Sequence, residues 1–191
     1  MTEQQIIEGI RQGDESAFRE LVDQYQQMVV NVCNRFVHNR DDALDLSQDV
    51  FIKAYHSIDR FRGTSRISTW LYRIAVNHSL NFIRDKKRRN IFSSLDVLFD
   101  HSGSSPVERA ADNGEEAQEQ MERKENNNRV YQALESLPKK QRVALTLNKL
   151  EDLPYKQVAE IMDISVSETG VLINRAKKKL QKKLAENIKK A

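Results

Sequence analysis

One stripe of this 191-residue chain carries side chains suited to unpaired nucleic acid. Trp70, Arg73, Asn77, Asn81 and Arg84 recur at spacings of three and four, which puts them on one side of an α-helix. An indole stacks on a base, and amide and guanidinium groups hydrogen-bond base edges and phosphates. Lys86, Lys87, Arg88 and Arg89 follow directly and can meet phosphate. A partly buried tryptophan among exposed asparagines would look the same without any ligand, so the stripe has to be weighed with the rest of the chain.

A second set lies near the C-terminal end. Pro154 opens a short helix over 155–162, the segment Asp163-Ile164-Ser165 breaks it, and a long helix begins at Val166 or Ser167, capped by Ser165 or Ser167. This is the layout of a helix-turn-helix, whose second helix enters the major groove. It would present Ser167, Glu168, Val171, Asn174 and Arg175 to base edges, with Ser165 at its start and Lys178 and Lys179 nearer the backbone. Glu168 suits a cytosine amine. Gly170 inside that helix costs about 1 kcal/mol relative to alanine, which points to a close approach to DNA.

The third set is acidic. Asp41, Asp45 and Asp49 stand at i, i+4 and i+8, an acidic stripe facing a basic partner. Carboxylates at this spacing could serve a metal, but no histidine or further ligand pattern surrounds them. His38, His56, His78 and His101 are scattered, and neither a nucleophile–base pair nor a phosphate-cradling glycine loop is present. No catalytic residue, metal site, cofactor or small-molecule substrate is therefore expected.

The elements that position these sets are all helical. Few glycines and prolines, a 7% aromatic share and 31% charged residues point to an all-α protein of two small helical domains. Ile6, Ile7 and Ile10 begin the periodicity, and Asp14 caps the helix that Ala17 and Phe18 open. The pattern continues through Met28, Val29, Val32, Cys33 and Phe36, then through Leu44, Val50, Phe51, Ala54, Tyr55 and Ile58. Phe61 to Ser65 reads as a loop around Gly63. A helix over about 67–84 follows, with Ile67, Leu71, Ile74, Ala75, His78 and Phe82 inward. The domains expected are 1–90 and 127–191, joined by a flexible acidic linker over 91–126 that carries Asp96, Asp100 and Glu108. In the second domain Pro138 opens a helix with Val143, Ala144, Leu147 and Leu150 inward. Val158, Ala159 and Met162 do the same for the short helix, and Leu172, Ala176, Leu180, Leu184 and Ile188 for the last.

The net charge of +3 understates two basic clusters, one over 84–89 and one over 175–190. A single cysteine, Cys33, builds neither a disulfide nor a zinc cage, the start lacks the order of a secretory signal, and no apolar run approaches the length of a membrane span. A cytoplasmic protein is expected.

The run LESLPKKQRVALTLNKLEDLPYKQVAEIMDISVSETGVLINRAKKKL resembles the promoter-reading domain of sigma factors of the extracytoplasmic-function group. DESAFRELVDQYQQMVVNVCNRFV, DALDLSQDVFIKAYHSIDRFRG and ISTWLYRIAVNHSLNFIR resemble the family's other conserved domain. The resemblance implies that Asp45, Leu46, Gln48, Asp49 and Phe51 dock on the clamp helices of the largest subunit of core RNA polymerase, with the polymerase flap as a further contact. It implies that Phe61, Arg62, Trp70, Arg73, Asn77, Asn81, Arg84, Lys87 and Arg88 capture the minus-ten element, Phe61 and Asn77 forming the base pocket. The helix-turn-helix would read the minus-thirty-five element, although no basic residue precedes Arg175 in the reading helix, where many members carry one. An anti-sigma protein, often membrane-anchored in the family, is implied as a partner. The competing reading is a stand-alone helix-turn-helix regulator that binds duplex operator DNA.

Overall fold

The computed structural model describes residues 1–99 and 129–188. The regular elements among these residues are helices: α1 (Glu3–Arg11), α2 (Glu15–Val37), α3 (Arg40–Ser57), a 3₁₀ turn (Ile58–Arg60), α4 (Ile67–Phe99), α5 (residues 129–135), α6 (Lys139–Lys149), α7 (Tyr155–Met162) and α8 (Val166–Ile188). The expected linker acids Asp100 and Glu108, and the terminal Lys189 and Lys190, lie outside the described residues.

Helix starts follow from side chains that satisfy the first free amides. Thr2 and Gln5 form a reciprocal capping box at α1, Asp14 accepts from the Ser16 amide at α2, and Asn39 accepts from the Asp42 amide at α3. Asn39 thus starts α3. Between α2 and α3 the chain turns at His38, which holds the left-handed conformation at φ 56° while its amide closes on the Asn34 carbonyl at 2.9 Å.

α2 is the spine of the first domain and packs against α1, α3 and α4. Ile6, Ile10, Leu21, Val29, Val32, Val50, Ala54, Ile67 and Leu71 fill its core. Cys33 belongs to it, and burial pushes the thiol up to about 11. Tyr25 ties α1 to α2 by donating to Glu3 Oε1 at 3.1 Å; burial and the Glu3 charge raise the phenol to about 12.

α4 departs from expectation in two respects. It runs 33 residues to Phe99, so the first residues assigned to the linker are helical. It is also apolar on two sides. Ile67, Leu71 and Ala75 enter the first domain's core, while Tyr72, Val76 and Leu80, on the opposite face of the helix, are buried as well. Val76 and Leu80 line a groove of about 500 Å³ together with Val143, Ile161 and Met162 of the second domain.

In the second domain α6 and α7 pack on α8, and the prolines open α6 and α7 as expected. Ile173 and Ala176 carry the buried side of α8, whereas Leu172 and Leu180 are only half-buried. The inward stripe is therefore rotated from the leucine repeat. The domains meet through α4 and α7. The Arg73 guanidinium donates to the Glu160 carbonyl, Arg35 pairs with Glu151 at 3.2 Å, Lys87 approaches Glu135 at 3.7 Å, and the His38 ring stacks on Tyr131 with centroids 3.7 Å apart.

Candidate nucleic-acid and polymerase interfaces

Along α4 the expected stripe divides. Asn77, Asn81, Arg84, Lys87 and Arg88 are exposed, as is Arg62 in the preceding loop. Trp70 is half-buried, its ring 5.1 Å from that of Phe61. Phe61 itself is 5% exposed and belongs to the core, so its ring is closed to a base in this arrangement. Arg73 is half-buried and engaged with α7 rather than free for phosphate. The loop's course explains the burial of Phe61: its amide closes the 3₁₀ turn on the Ile58 carbonyl at 3.0 Å, which directs the ring inward.

The helix-turn-helix is built by backbone geometry at Asp163. With φ 54° it ends α7 in the left-handed region, and the Ile164 amide closes back on the Ala159 carbonyl at 3.1 Å. Ser165 is the cap of α8, its hydroxyl accepting from the Glu168 amide at 3.1 Å, so the helix begins at Val166. Ser167, Glu168, Val171, Asn174, Arg175, Lys178 and Lys179 are all exposed. Glu168 is already paired with Lys140 at 3.6 Å. Val166, 50% exposed beside Val171 at 44%, is an apolar residue on this face that the sequence reading passed over; a large aliphatic side chain at the first position after a cap was the available signal.

Gly170 is not forced by packing. A Cβ there would meet Tyr155 Cε2 at 3.6 Å, an ordinary contact, whereas a Cβ at Gly9 would fall 2.6 Å from Ala17 Cβ where α1 crosses α2. The same substitution should therefore act in opposite directions. Gly170→Ala is expected to stabilise the protein by about 0.5–1 kcal/mol through helix propensity. Gly9→Ala is expected to destabilise it by about 1 kcal/mol or more, because overpacking outweighs that gain. Thermal and urea melts of the two variants check this, and equal signs would refute it.

The outward face of α3 carries Asp41, Asp45, Gln48 and Asp49, all exposed. Leu46 and Phe51, expected at the docking surface, point into the core at 5% and 6% exposure because they fall on the side of α3 turned to α2 and α4. Leu44, Ile52 and Tyr55 take the surface positions at 40%, 55% and 39%. The face is thus acidic along one edge and apolar along the other, with Gln48 and Ile52 between.

Residues 21–89 match sigma-70 region 2, and residues 127–180 match sigma-70 region 4. The chain is 36% identical over 184 residues to the ECF RNA polymerase sigma-E factor of Haemophilus influenzae, a match covering 96% of each chain. It is 35% identical over 189 residues to the RNA polymerase sigma-H factor of Pseudomonas aeruginosa, covering 99% of this chain and 97% of that one. Its backbone is similar to CnrH, solved in complex with the cytosolic domain of CnrY, with a TM-score of 0.64 at 21% identity over 96% of this chain and 97% of the other. It is also similar to the sigma factor RpoE of Bartonella quintana, solved with the anti-sigma factor NepR, with a TM-score of 0.56 at 22% identity over 88% and 96%. The chain belongs to the extracytoplasmic-function family of RNA polymerase sigma factors.

Proposed function

We propose that this sigma factor brings core RNA polymerase to two-element promoters, opens the minus-ten element and releases the enzyme into transcription, under the control of an anti-sigma protein. The near full-length similarity to sigma factors carries the reading, and the surfaces support a division of labour. The mixed acidic and apolar face of α3 suits a basic, partly apolar polymerase helix pair. Asn77, Asn81 and the cations of α4 suit the displaced strand and its phosphates. The first turns of α8 suit a major groove.

Opening a duplex costs about 1–2 kcal/mol per base-pair step, and a factor that hydrolyses nothing must offset that by holding bases that have left the stack. Asn77 has two donors and an acceptor free for a base edge. Phe61 would serve as the floor beneath Trp70 rather than as the stacking surface. Anti-sigma control rests on the family and on the related RpoE solved with NepR; a partner covering α3 and α4 would block both steps.

The experiment is in-vitro transcription from candidate promoters with bacterial core polymerase, with and without the chain, beside a gel shift on the same duplex without polymerase. Initiation should depend on the chain, and Asn77→Ala should lower it about tenfold, the factor expected for one lost base contact. Tight, specific duplex binding without polymerase and no initiation with it would instead establish a stand-alone regulator.

A further inference from the structure

The loop that leads into α4 is held from an unexpected direction. Arg11, the last residue of α1, donates from Nη2 to the Phe61 carbonyl at 2.6 Å across 50 residues of sequence. Its other guanidinium nitrogen lies 3.8 Å from Glu8 of the same helix, which steadies the fork. A pocket of about 490 Å³ at this junction is lined by Ile7, Glu8, Arg11, Phe61, Arg62 and Gly63, among others. Phe61 is thereby fixed at three points: its amide on Ile58, its ring against Trp70 and its carbonyl on Arg11. Directly after it the chain reverses at Gly63, whose φ of +70° suits glycine, with Arg62 and Thr64 exposed on either side.

We infer that Arg11 is a positioning residue for promoter opening: by holding the Phe61 carbonyl it sets where the loop 62–66 stands relative to Asn77 on α4. This rests on the assignment of that loop and α4 to the minus-ten element. Charge-assisted hydrogen bonds to a carbonyl are short and directional, so the guanidinium orients the peptide plane of Phe61 as well as anchoring it. A preset loop meets a base as it leaves the stack, whereas a loop free to wander must be ordered at the same moment. Arg11 touches no DNA in this scheme. Its side chain also lies at the C-terminal end of α1, where any cation is mildly stabilising, so the test must separate positioning from simple support of the helix.

The full chain with core polymerase is assayed for the rate of open-complex formation on a duplex promoter and on the same promoter mismatched across the minus-ten element. Arg11→Met keeps the stem and removes the donors. It is expected to slow opening of the duplex about tenfold, to change the rate on the pre-opened template less than about twofold, and to lower the melting temperature by only about 3–6 °C. Arg11→Lys, which restores a charged donor, should recover most of the duplex rate. Equal rates for Arg11→Met and the parent on duplex DNA would overturn the inference. So would an equal loss on both templates, the mark of a purely structural role. If the parent itself fails to initiate, the underlying minus-ten assignment falls instead.

Discussion

Asp45→Arg combined with Asp49→Arg is expected to weaken binding of this sigma factor to core RNA polymerase by about tenfold or more. Both carboxylates are exposed on the outward side of α3, so the change leaves the core untouched. Setting like charges against a basic partner costs several times what a lost surface pair would. The effect should shrink as salt rises from about 0.1 to 0.5 M, because exposed charges beyond a Debye length are screened. Leu44, Ile52 and Tyr55 stay in place, so the residual affinity reports the apolar edge of the same face. Asp23→Arg, an exposed site on α2, controls for positive charge added away from α3. Binding by fluorescence anisotropy is the measurement, and parental affinity in the double variant would remove α3 as the docking face.

Arg35→Ala is expected to loosen the contact between the two domains. Glu151 is the more buried member of the pair, with its side chain 9% exposed against 47% for Arg35. Burial pushes the Glu151 carboxyl up, although the Arg35 guanidinium pulls the other way. Removing Arg35 strands that carboxylate, at a cost of about 1–2 kcal/mol once the exposure of the arginine is discounted. The remaining polar and ring contacts are few, namely the Arg73 bond to Glu160, the Lys87–Glu135 approach and the His38–Tyr131 stack, beside the apolar face of Val76 and Leu80 turned to the second domain. A rise in the radius of gyration by small-angle scattering, or a longer distance between fluorophores on α3 and α6, is the expected result. Restoring compactness by adding Glu151→Gln would show that the stranded charge is the cause.

The same closure should depend on pH. His38 is held below its ordinary value of 6.5, first by burial, with Arg142 acting in the same sense and Glu135 opposing both. It stacks on Tyr131. A histidine with a depressed value favours the closed form above the pH at which the opened form takes up its proton, and that preference is lost as pH falls from about 6.5. Glu151 has the opposite sign, since a carboxyl raised on closure gains there as it is protonated, but only on approach to the carboxylate range. Opening should therefore increase from pH 7.5 to 6, and compactness unchanged over that interval would count against the His38 contribution.

Much of the local structure was legible because single residues dictate it. Asp14, Pro138 and Pro154 mark helix starts by the amides they satisfy or lack. The exposed positions of the α4 stripe and of the first turns of α8 were likewise visible as spacing, apart from Trp70 and Arg73, which are half-buried. What escaped was the choice between faces on helices with more than one apolar side. On α3, Leu44 and Tyr55 fit an inward pattern as well as Leu46 and Phe51 did, and the packing of α2 and α4 decides that the latter pair is buried. On α4, a second apolar face was invisible while one inward stripe was assumed, because Tyr72, Val76 and Leu80 acquire their neighbours only when the second domain arrives. Ser165 and Ser167 were equivalent as caps by type; the 3.1 Å bond from the Glu168 amide selects Ser165.

The length of α4 has a consequence for promoter geometry. Once the helix has taken the chain as far as Phe99, residues 100–128 are what joins it to α5, and even fully extended they span at most about 100 Å. Minus-ten and minus-thirty-five elements stand about 25 base pairs apart, roughly 85 Å along straight duplex, while in this arrangement α4 touches α7. The number of residues between Phe99 and α5 therefore sets an upper limit on how far the two domains can part, and with it on the promoter spacer that a factor reading both elements could serve.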